Sequence, residues 1–307
     1  MNWWKTNMML MFCMTAAMGE AQVLRDTSYT LASTLAKYQR NYPDLQIEGV
    51  YPSNPKNVHI QVRNYKSMGE RKLQANLFVP DVKEQIPTVM LVHGGGWRAG
   101  SPELMTPIAE RLALAGFLVM VPEYRLSLEA AYPAGVDDLK DALNWLKANA
   151  IELSIDTTKL AVVGFSAGGQ LAALIGTTYP VQAIVDVDGI LVFHHPDSKE
   201  GAMAAQWLGG TYEEVPLTWE EASALTHVND KTPPTLFLAS KYPRFLAGYQ
   251  SYMEVLDEAG TYSEYHAFDD APHSFWLVSP WFEPTVTRII EFLNRVINKT
   301  NQQLSDE

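Results

Sequence analysis

The stretch LAVVGFSAGGQLAAL sets Gly164, Ser166 and Gly168 in a G-x-S-x-G spacing where an apolar run gives way to an Ala/Leu-rich one. A serine at that junction sits on a tight strand-to-helix turn, at a helix N-terminus where peptide dipoles favour developing negative charge. The tightness of the turn restricts the flanking positions to small residues. The pattern alone recurs by chance in Gly/Ser-rich turns; its weight here comes from the strand before it and the helix after it. The chemistry on offer is nucleophilic attack by the Ser166 hydroxyl, with a neighbouring base to take its proton.

Two further stretches supply what such an attack needs. In VMLVHGGGWRAG, three consecutive glycines follow His93. They are costly to order, and make sense where backbone N–H groups must approach a substrate oxygen closely. A phosphate-binding loop would carry Lys-Ser/Thr or a longer glycine pattern, and neither follows. The expected oxyanion donors are therefore the amides of Gly95 and Gly96 together with that of Ala167. In FDDAPHSFW, His273 follows the last strand-like run, YSEYHAF, where the order Ser, acid, His places the base. His59 and His227 lie outside that order, and His266 sits within the run itself.

These residues need a scaffold, and the hydrophobic pattern describes one. VHIQVRNY (58–65) and KLQANLFVP (72–80) read as an antiparallel pair joined by a turn. From there short apolar runs alternate with helical patterns up to a last helix near 283–298. That alternation predicts βαβ units, a mostly parallel doubly wound sheet and ligands at the carboxyl ends of its strands. Residues 190–232 break the rhythm and read as a small helical cap. The expected organisation is one α/β domain over 45–300, an N-terminal segment at 22–44 and a polar tail at 301–307.

HGGGW, PEYRL, YPAGVDDLKDALNWL, GFSAGG, ASALTHVNDKTPPTLFLAS and PHSF occur in that order over roughly residues 85–280. In this the chain resembles α/β-hydrolase esterases of the hormone-sensitive-lipase-like and acetyl-xylan-esterase-like group. The resemblance implies the α/β-hydrolase fold, Ser166 as nucleophile, His273 as base and the oxyanion donors already named. It also implies that Tyr124 and Arg125 order the loop beside the active site. Asp137 and Asp138 read as the first turn of a helix, with a structural role.

One member of the expected triad is missing from its usual place. In that group a carboxylate follows the strand matching TLFLAS, but here the loop reads SKYPRF, and no Asp or Glu lies between Lys231 and Glu254. Asp186 and Asp188, in AIVDVDGIL, belong to the strand expected between the Ser166 strand and TLFLAS. Both would point the same way on an extended strand, and Asp188, nearer the carboxyl end, is the expected acid. Asp269 or Asp270, close before His273, are the rivals, along with a Ser-His dyad without an acid.

The loop that lost the acid offers Arg244, and HHPD brings His194 and His195 near it; these could hydrogen-bond sugar hydroxyls or a uronate carboxylate. Trp97, Trp207, Trp276 and Trp281 could add flat faces for sugar rings. SFWLVSPWFEP resembles exported bacterial carbohydrate esterases. The resulting expectation is a serine carboxylesterase, an acetyl esterase acting on plant or algal polysaccharide fragments. A small serine peptidase and a non-catalytic carbohydrate-binding protein are the alternatives. No Cys/His cluster or dinucleotide glycine pattern calls for a metal or organic cofactor, and none is expected. The partner is an ester substrate, small or oligosaccharide. A net charge of −12 argues against nucleic acid and anionic membrane surfaces. At the start of the chain, Lys5, the apolar run 8–17 and small residues Gly19 and Ala21 read as a signal peptide over 1–21. The run is too short for stable membrane insertion, and export to a periplasm or the medium is expected.

Overall fold

The computed structural model describes residues 25–47, 55–82, 85–199 and 201–298. The leader read at 1–21 and the tail at 301–307 lie outside the described residues. In chain order the elements are α1 (Leu31–Tyr38), β1 (Gln46–Ile47), β2 (Val58–Met68), β3 (Arg71–Pro80), β4 (Ile86–Val92) and α2 (Thr106–Leu114). They continue as β5 (Leu118–Pro122), α3 (Ala134–Ala148), β6 (Ile155–Phe165), α4 (Ala167–Thr178) and β7 (Ala183–Val187). Next come α5 (Gly201–Leu208), α6 (Pro216–Glu221), β8 (Thr235–Ala239), α7 (Tyr249–Glu258), β9 (Ser263–Ala267), β10 (Val278–Ser279) and α8 (Phe282–Ile297).

Eight strands form one sheet in the order β2-β3-β5-β4-β6-β7-β8-β9. β2 pairs antiparallel with β3, and β3 with β5; every pairing from β5 to β9 is parallel. The sequence already shows why. Every residue of β5, β7 and β8 is buried, as parallel strands covered on both faces must be. β2, at the sheet edge, is instead largely exposed or half-buried, with His59, Asn64 and Ser67 in solvent together with Ile60 and Val62. The chain is thus an α/β-hydrolase-type fold with an antiparallel N-terminal pair.

Helices close both faces. In α8 the buried Phe282, Val286, Ile289 and Leu293 recur at spacings of four, three and four, one stripe of an amphipathic helix. α4 is buried almost throughout, because it carries the cap on one side and the sheet on the other. Its small residues permit this: side chains on Gly168 and Gly169 would run into the Val92 carbonyl and the Asp186 carboxylate. The interval between β7 and β8 holds α5 and α6. Among the described residues no helix is long and apolar enough to cross a membrane.

The N-terminal segment holds more order than its sequence suggested. Thr30 caps α1: its Oγ1 accepts from the Ser33 amide at 3.0 Å, while Ser33 Oγ accepts from the Thr30 amide at 2.9 Å. β1 pairs with β10, and Asp26 bridges to Ala99. Arg98 Nε donates to Asp26 at 2.9 Å, and Tyr29 lies 3.2 Å from the Ser274 hydroxyl. These ties lay residues 25–38 along the glycine loop and beside the His273 loop.

Candidate active site

Ser166 ends β6 and opens α4 with φ 56°, a left-handed conformation that few non-glycine residues tolerate. Such strain persists only where the surroundings enforce it. Here the enforcement is steric: a Cβ on Gly164 would strike the Gly168 carbonyl, so the two glycines of the motif fold against each other under the serine. The Ser166 amide donates to the Val187 carbonyl at 2.8 Å, tying the turn to the neighbouring strand.

Ser166 Oγ lies 2.9 Å from His273 Nε2, and His273 Nδ1 lies 2.8 Å from Asp188 Oδ2. Asp188 is fully buried, while the His273 side chain keeps 13% of its surface. The structure thus brings together the first-choice acid, the histidine and the serine. Asp186 is elsewhere. β7 ends at Val187 and Asp188 turns to φ 54°, so the two carboxylates do not share the one direction that an extended strand would give them. Asp186 Oδ1 accepts from the Gly189 amide at 2.8 Å, and burial pushes its carboxyl well above the usual carboxylate range. Asp269 and Asp270 are exposed, and Asp270 accepts from Trp281 Nε1 at 2.9 Å.

The SKYPRF loop serves the same site without a carboxylate of its own. Ser240 donates its amide to Asp188 Oδ1 at 2.7 Å, filling the oxygen that His273 leaves. Phe245 stacks on the imidazole with centroids 3.5 Å apart and planes 15° from parallel. The Arg244 guanidinium lies 3.9 Å from the centroid of the same ring. Two groups so close to one centroid must take opposite faces, so Phe245 separates Arg244 from His273. The sequence reading missed Phe245 and the Ser240 amide; the only signal was their place in the loop that should have held the acid.

Gly95 and Gly96 sit opposite the serine with φ 130° and 60°. A side chain on Gly95 would collide with the Ala99 carbonyl, and one on Gly96 with Met203 of α5, so this loop takes its shape only as glycine. The amides of Gly95, Gly96 and Ala167 have no acceptor among the described residues. The loop is held from behind: Tyr124 donates its hydroxyl to the His93 carbonyl at 2.8 Å, and Ser127 donates its amide to the Trp97 carbonyl at 2.7 Å. Arg125 grips buried Asp138 through Nε and Nη2 at 2.8 and 2.9 Å, and Lys66 joins at 2.6 Å. Burial drives the His93 ring down to about 4, so it is neutral.

A cavity of about 20 Å³ beside Ser166 is lined by Gly96, Trp97, Ala167, Asp188, Ile190 and Phe245. On its other side Ser166 opens to a cleft of about 550 Å³, walled by the glycine loop, α5, the Arg244 loop and the N-terminal segment.

The substrate-binding expectations fare differently from one another. Arg244 lines the cleft. Trp97 does not offer it a flat face: the residue is 3% exposed, stacks on Trp207 at 5.1 Å and donates Nε1–H to Gln170. Trp207, Trp276 and Trp281 are likewise core. His194 stacks on Tyr212 at 3.6 Å, His195 accepts from the Asp197 amide, and neither lines the cleft. Aromatic and imidazole rings find apolar or stacking partners in the cap first, an outcome a sequence does not reveal.

Residues 76–253 match the BD-FAE family. Over 97 residues the chain is 41% identical to the carboxylesterase NlhH of Mycobacterium tuberculosis, covering 31% of this chain and 30% of that protein. Over 151 residues it is 32% identical to an ethyl acetate hydrolase of Pseudomonas putida, covering 48% of each. The chain thus spans less than half the length of either relative it matches. Its fold resembles that of a thermophilic esterase from Thermogutta terrifontis, with a TM-score of 0.67 at 22% identity over 80% of this chain and 95% of that one.

Proposed function

The chain belongs to the BD-FAE family, and from that premise we propose that it is a serine carboxylesterase that removes acetyl groups from carbohydrate fragments of plant or algal polysaccharides. What carries the reading is the relay from Ser166 Oγ through His273 to Asp188, with gaps of 2.9 and 2.8 Å.

In the proposed reaction His273 Nε2 takes the Ser166 proton as the oxygen attacks the ester carbonyl. The Asp188 carboxylate holds Nδ1–H, fixing the tautomer and stabilising the imidazolium. The amides of Gly95, Gly96 and Ala167 receive the oxyanion in a loop already shaped for it. Collapse of the tetrahedral intermediate breaks the bond to the alcohol, which leaves with the proton from His273. A water deprotonated by the same histidine then attacks the acyl-serine and releases the acid.

The size of the two cavities supports the acetyl assignment. A space of about 20 Å³ has room for a methyl group and little more. The alcohol half takes the larger cleft, whose Ser28, Lys37, Arg98, Lys199, Arg244 and Ser274 suit a polyhydroxylated molecule. The ethyl acetate hydrolase among the relatives accords with a small acyl group.

The test is p-nitrophenyl acetate hydrolysis by the chain and by Ser166→Ala, with fluorophosphonate labelling of both. Turnover and labelling that vanish together in Ser166→Ala support the esterase. A wild type that neither turns over nor takes the label overturns it in favour of a hydrolase fold kept for binding. Export follows from the leader-like residues 1–21, and a mature protein beginning at Gln22 in the medium or periplasm is the expected mass-spectrometric result.

A further inference from the structure

The loop that carries His273 is tied to the N-terminal segment at three points. Tyr42 donates its hydroxyl to the Asp270 carbonyl at 3.1 Å, just before the histidine. Tyr29 meets the Ser274 hydroxyl at 3.2 Å, immediately after it. β1 then pairs with β10, fixing Val278 and Ser279 where the loop ends. The same segment also holds the oxyanion side. Asp26 bridges to Ala99 and accepts from Arg98 Nε at 2.9 Å, while the Ala99 amide closes the glycine turn on the Gly95 carbonyl at 2.9 Å. Asp26 and Tyr29 are so close in sequence that at most about 10 Å of extended chain spans the two loops. Apolar packing seats the segment: Tyr38 and Leu45 belong to the same core as Phe275, Trp276 and Leu277, and Tyr29, Leu31 and Leu35 pack against that core.

The tie at Ser274 bears on the histidine most directly. Ser274 is buried and takes φ 69° and ψ 22°, a left-handed conformation unfavourable for a residue with a Cβ. It turns the chain between His273, which faces Ser166, and Phe275, Trp276 and Leu277, which enter the core. The Ser274 carbonyl accepts from the Leu277 amide at 3.1 Å, which holds the turn from the core side. Tyr29 holds it from the cleft side, where both residues line the wall beside Ser166. Burial pushes the Tyr29 hydroxyl up to about 12, so at neutral pH it keeps its proton and can donate to Ser274 Oγ. A relay with gaps of 2.9 and 2.8 Å on either side of one imidazole tolerates little movement of the backbone that carries it.

We propose that Tyr29 is a positioning residue for the esterase: through its bond to Ser274 it fixes the left-handed turn that aims His273 at Ser166, and Asp26 braces it against the oxyanion loop. The inference rests on the serine-esterase reading and gives the N-terminal segment a part in it. The bond acts on the geometry of the reacting groups and not on substrate affinity, so its loss lowers kcat and leaves KM in place.

The test is a double-mutant cycle of Tyr29→Phe and Ser274→Ala in the full chain, with p-nitrophenyl acetate as substrate and kcat counted per serine titrated by a fluorophosphonate. Tyr29→Phe keeps the ring and removes only the hydroxyl. The expected result is a kcat roughly fivefold below wild type, the worth of one hydrogen bond, with KM within about twofold and circular dichroism unchanged. Ser274→Ala should lose about as much, and the double variant no more than either alone, because the two hydroxyls form one contact. A Tyr29→Phe variant with wild-type kcat per titrated serine overturns the proposal, even if total activity falls because fewer molecules are folded. A raised KM at unchanged kcat overturns it in favour of a substrate contact. Losses that multiply in the double variant, to roughly 25-fold, overturn it as well, since Tyr29 would then act by a route other than Ser274. Each of these leaves the esterase standing. A wild type that neither turns over nor takes the label overturns the esterase reading itself.

Discussion

The Ser240 amide donates to Asp188 Oδ1 at 2.7 Å, joining the loop that has no carboxylate of its own to the carboxylate that meets His273 Nδ1. β7 and β8 are parallel neighbours, so a carboxylate just past the end of β7 lies beside the loop that leaves β8. His273 reaches the other Asp188 oxygen from 85 residues further along the chain.

Asp188→Asn should fold normally and lose roughly 10³–10⁴-fold in kcat, because an amide no longer fixes the imidazole tautomer or stabilises its charge. Asp270→Asn, which keeps an oxygen for Trp281 Nε1–H, should stay within about threefold of wild type. Steady-state kinetics on p-nitrophenyl acetate with circular dichroism checks both. The reverse ranking would move the acid to the loop before His273.

Phe245→Ala should lower kcat by roughly fivefold, since loss of an aromatic stack is worth about 1 kcal/mol and frees the imidazole to rotate. It also unseats Arg244. Phe245→Tyr, which keeps the stacked face, should recover most of kcat. A Phe245→Tyr variant as defective as Phe245→Ala would mean that neither the stacked face nor the bulk of the ring is what sustains turnover.

Ile190→Ala should widen the small cavity and raise the ratio of butyrate to acetate turnover by at least about tenfold, at a cost of roughly 2–4 kcal/mol in stability. An unchanged acyl preference in the folded variant would show that the acyl group binds elsewhere.

His93 is folded into the core as the neutral ring. Below its ordinary value of 6.5 the unfolded chain takes up a proton that the folded chain refuses until about 4. The unfolded state binds more protons in that window, so stability falls as the pH drops through it, by up to roughly 3 kcal/mol from this group. Urea unfolding between pH 7 and 4.5 should show the loss, and His93→Gln should flatten it; parallel curves would speak against the assignment.

Asp186 has the opposite sign. Burial raises its carboxyl, so above the ordinary carboxylate value of 3.8 the folded chain keeps a proton that the unfolded chain gives up. That penalty grows with pH until the folded group itself ionises. Asp186→Asn keeps an oxygen for the Gly189 amide and carries no such term. Its stability relative to wild type should rise from pH 4 to pH 8 in denaturant titrations. A relative stability independent of pH would mean that Asp186 ionises normally.

The sequence by itself determined what depends on neighbours along the chain. Short, mostly apolar runs such as TLFLA, five residues long and preceded by Pro233 and Pro234, read as strands buried on both faces, and the spacing of Phe282, Val286, Ile289 and Leu293 reads as one stripe of a helix. Gly164, Ser166 and Gly168 were legible for the same reason: the collision that demands glycine is between residues four apart. The tertiary structure decided what depends on which strand lies next to which. From sequence, Asp188, Asp269 and Asp270 were all carboxylates within reach of an argument, and only the sheet order with the left-handed turn at Asp188 brings one of them to His273. The same holds for Trp97, drawn into the core by Trp207, and for Lys37, carried to the cleft by a segment whose sequence announced no role. Periodicity and turn chemistry act over a few residues and leave marks in sequence. Convergence of side chains from separate strands is a property of the packed sheet, and no local pattern records it.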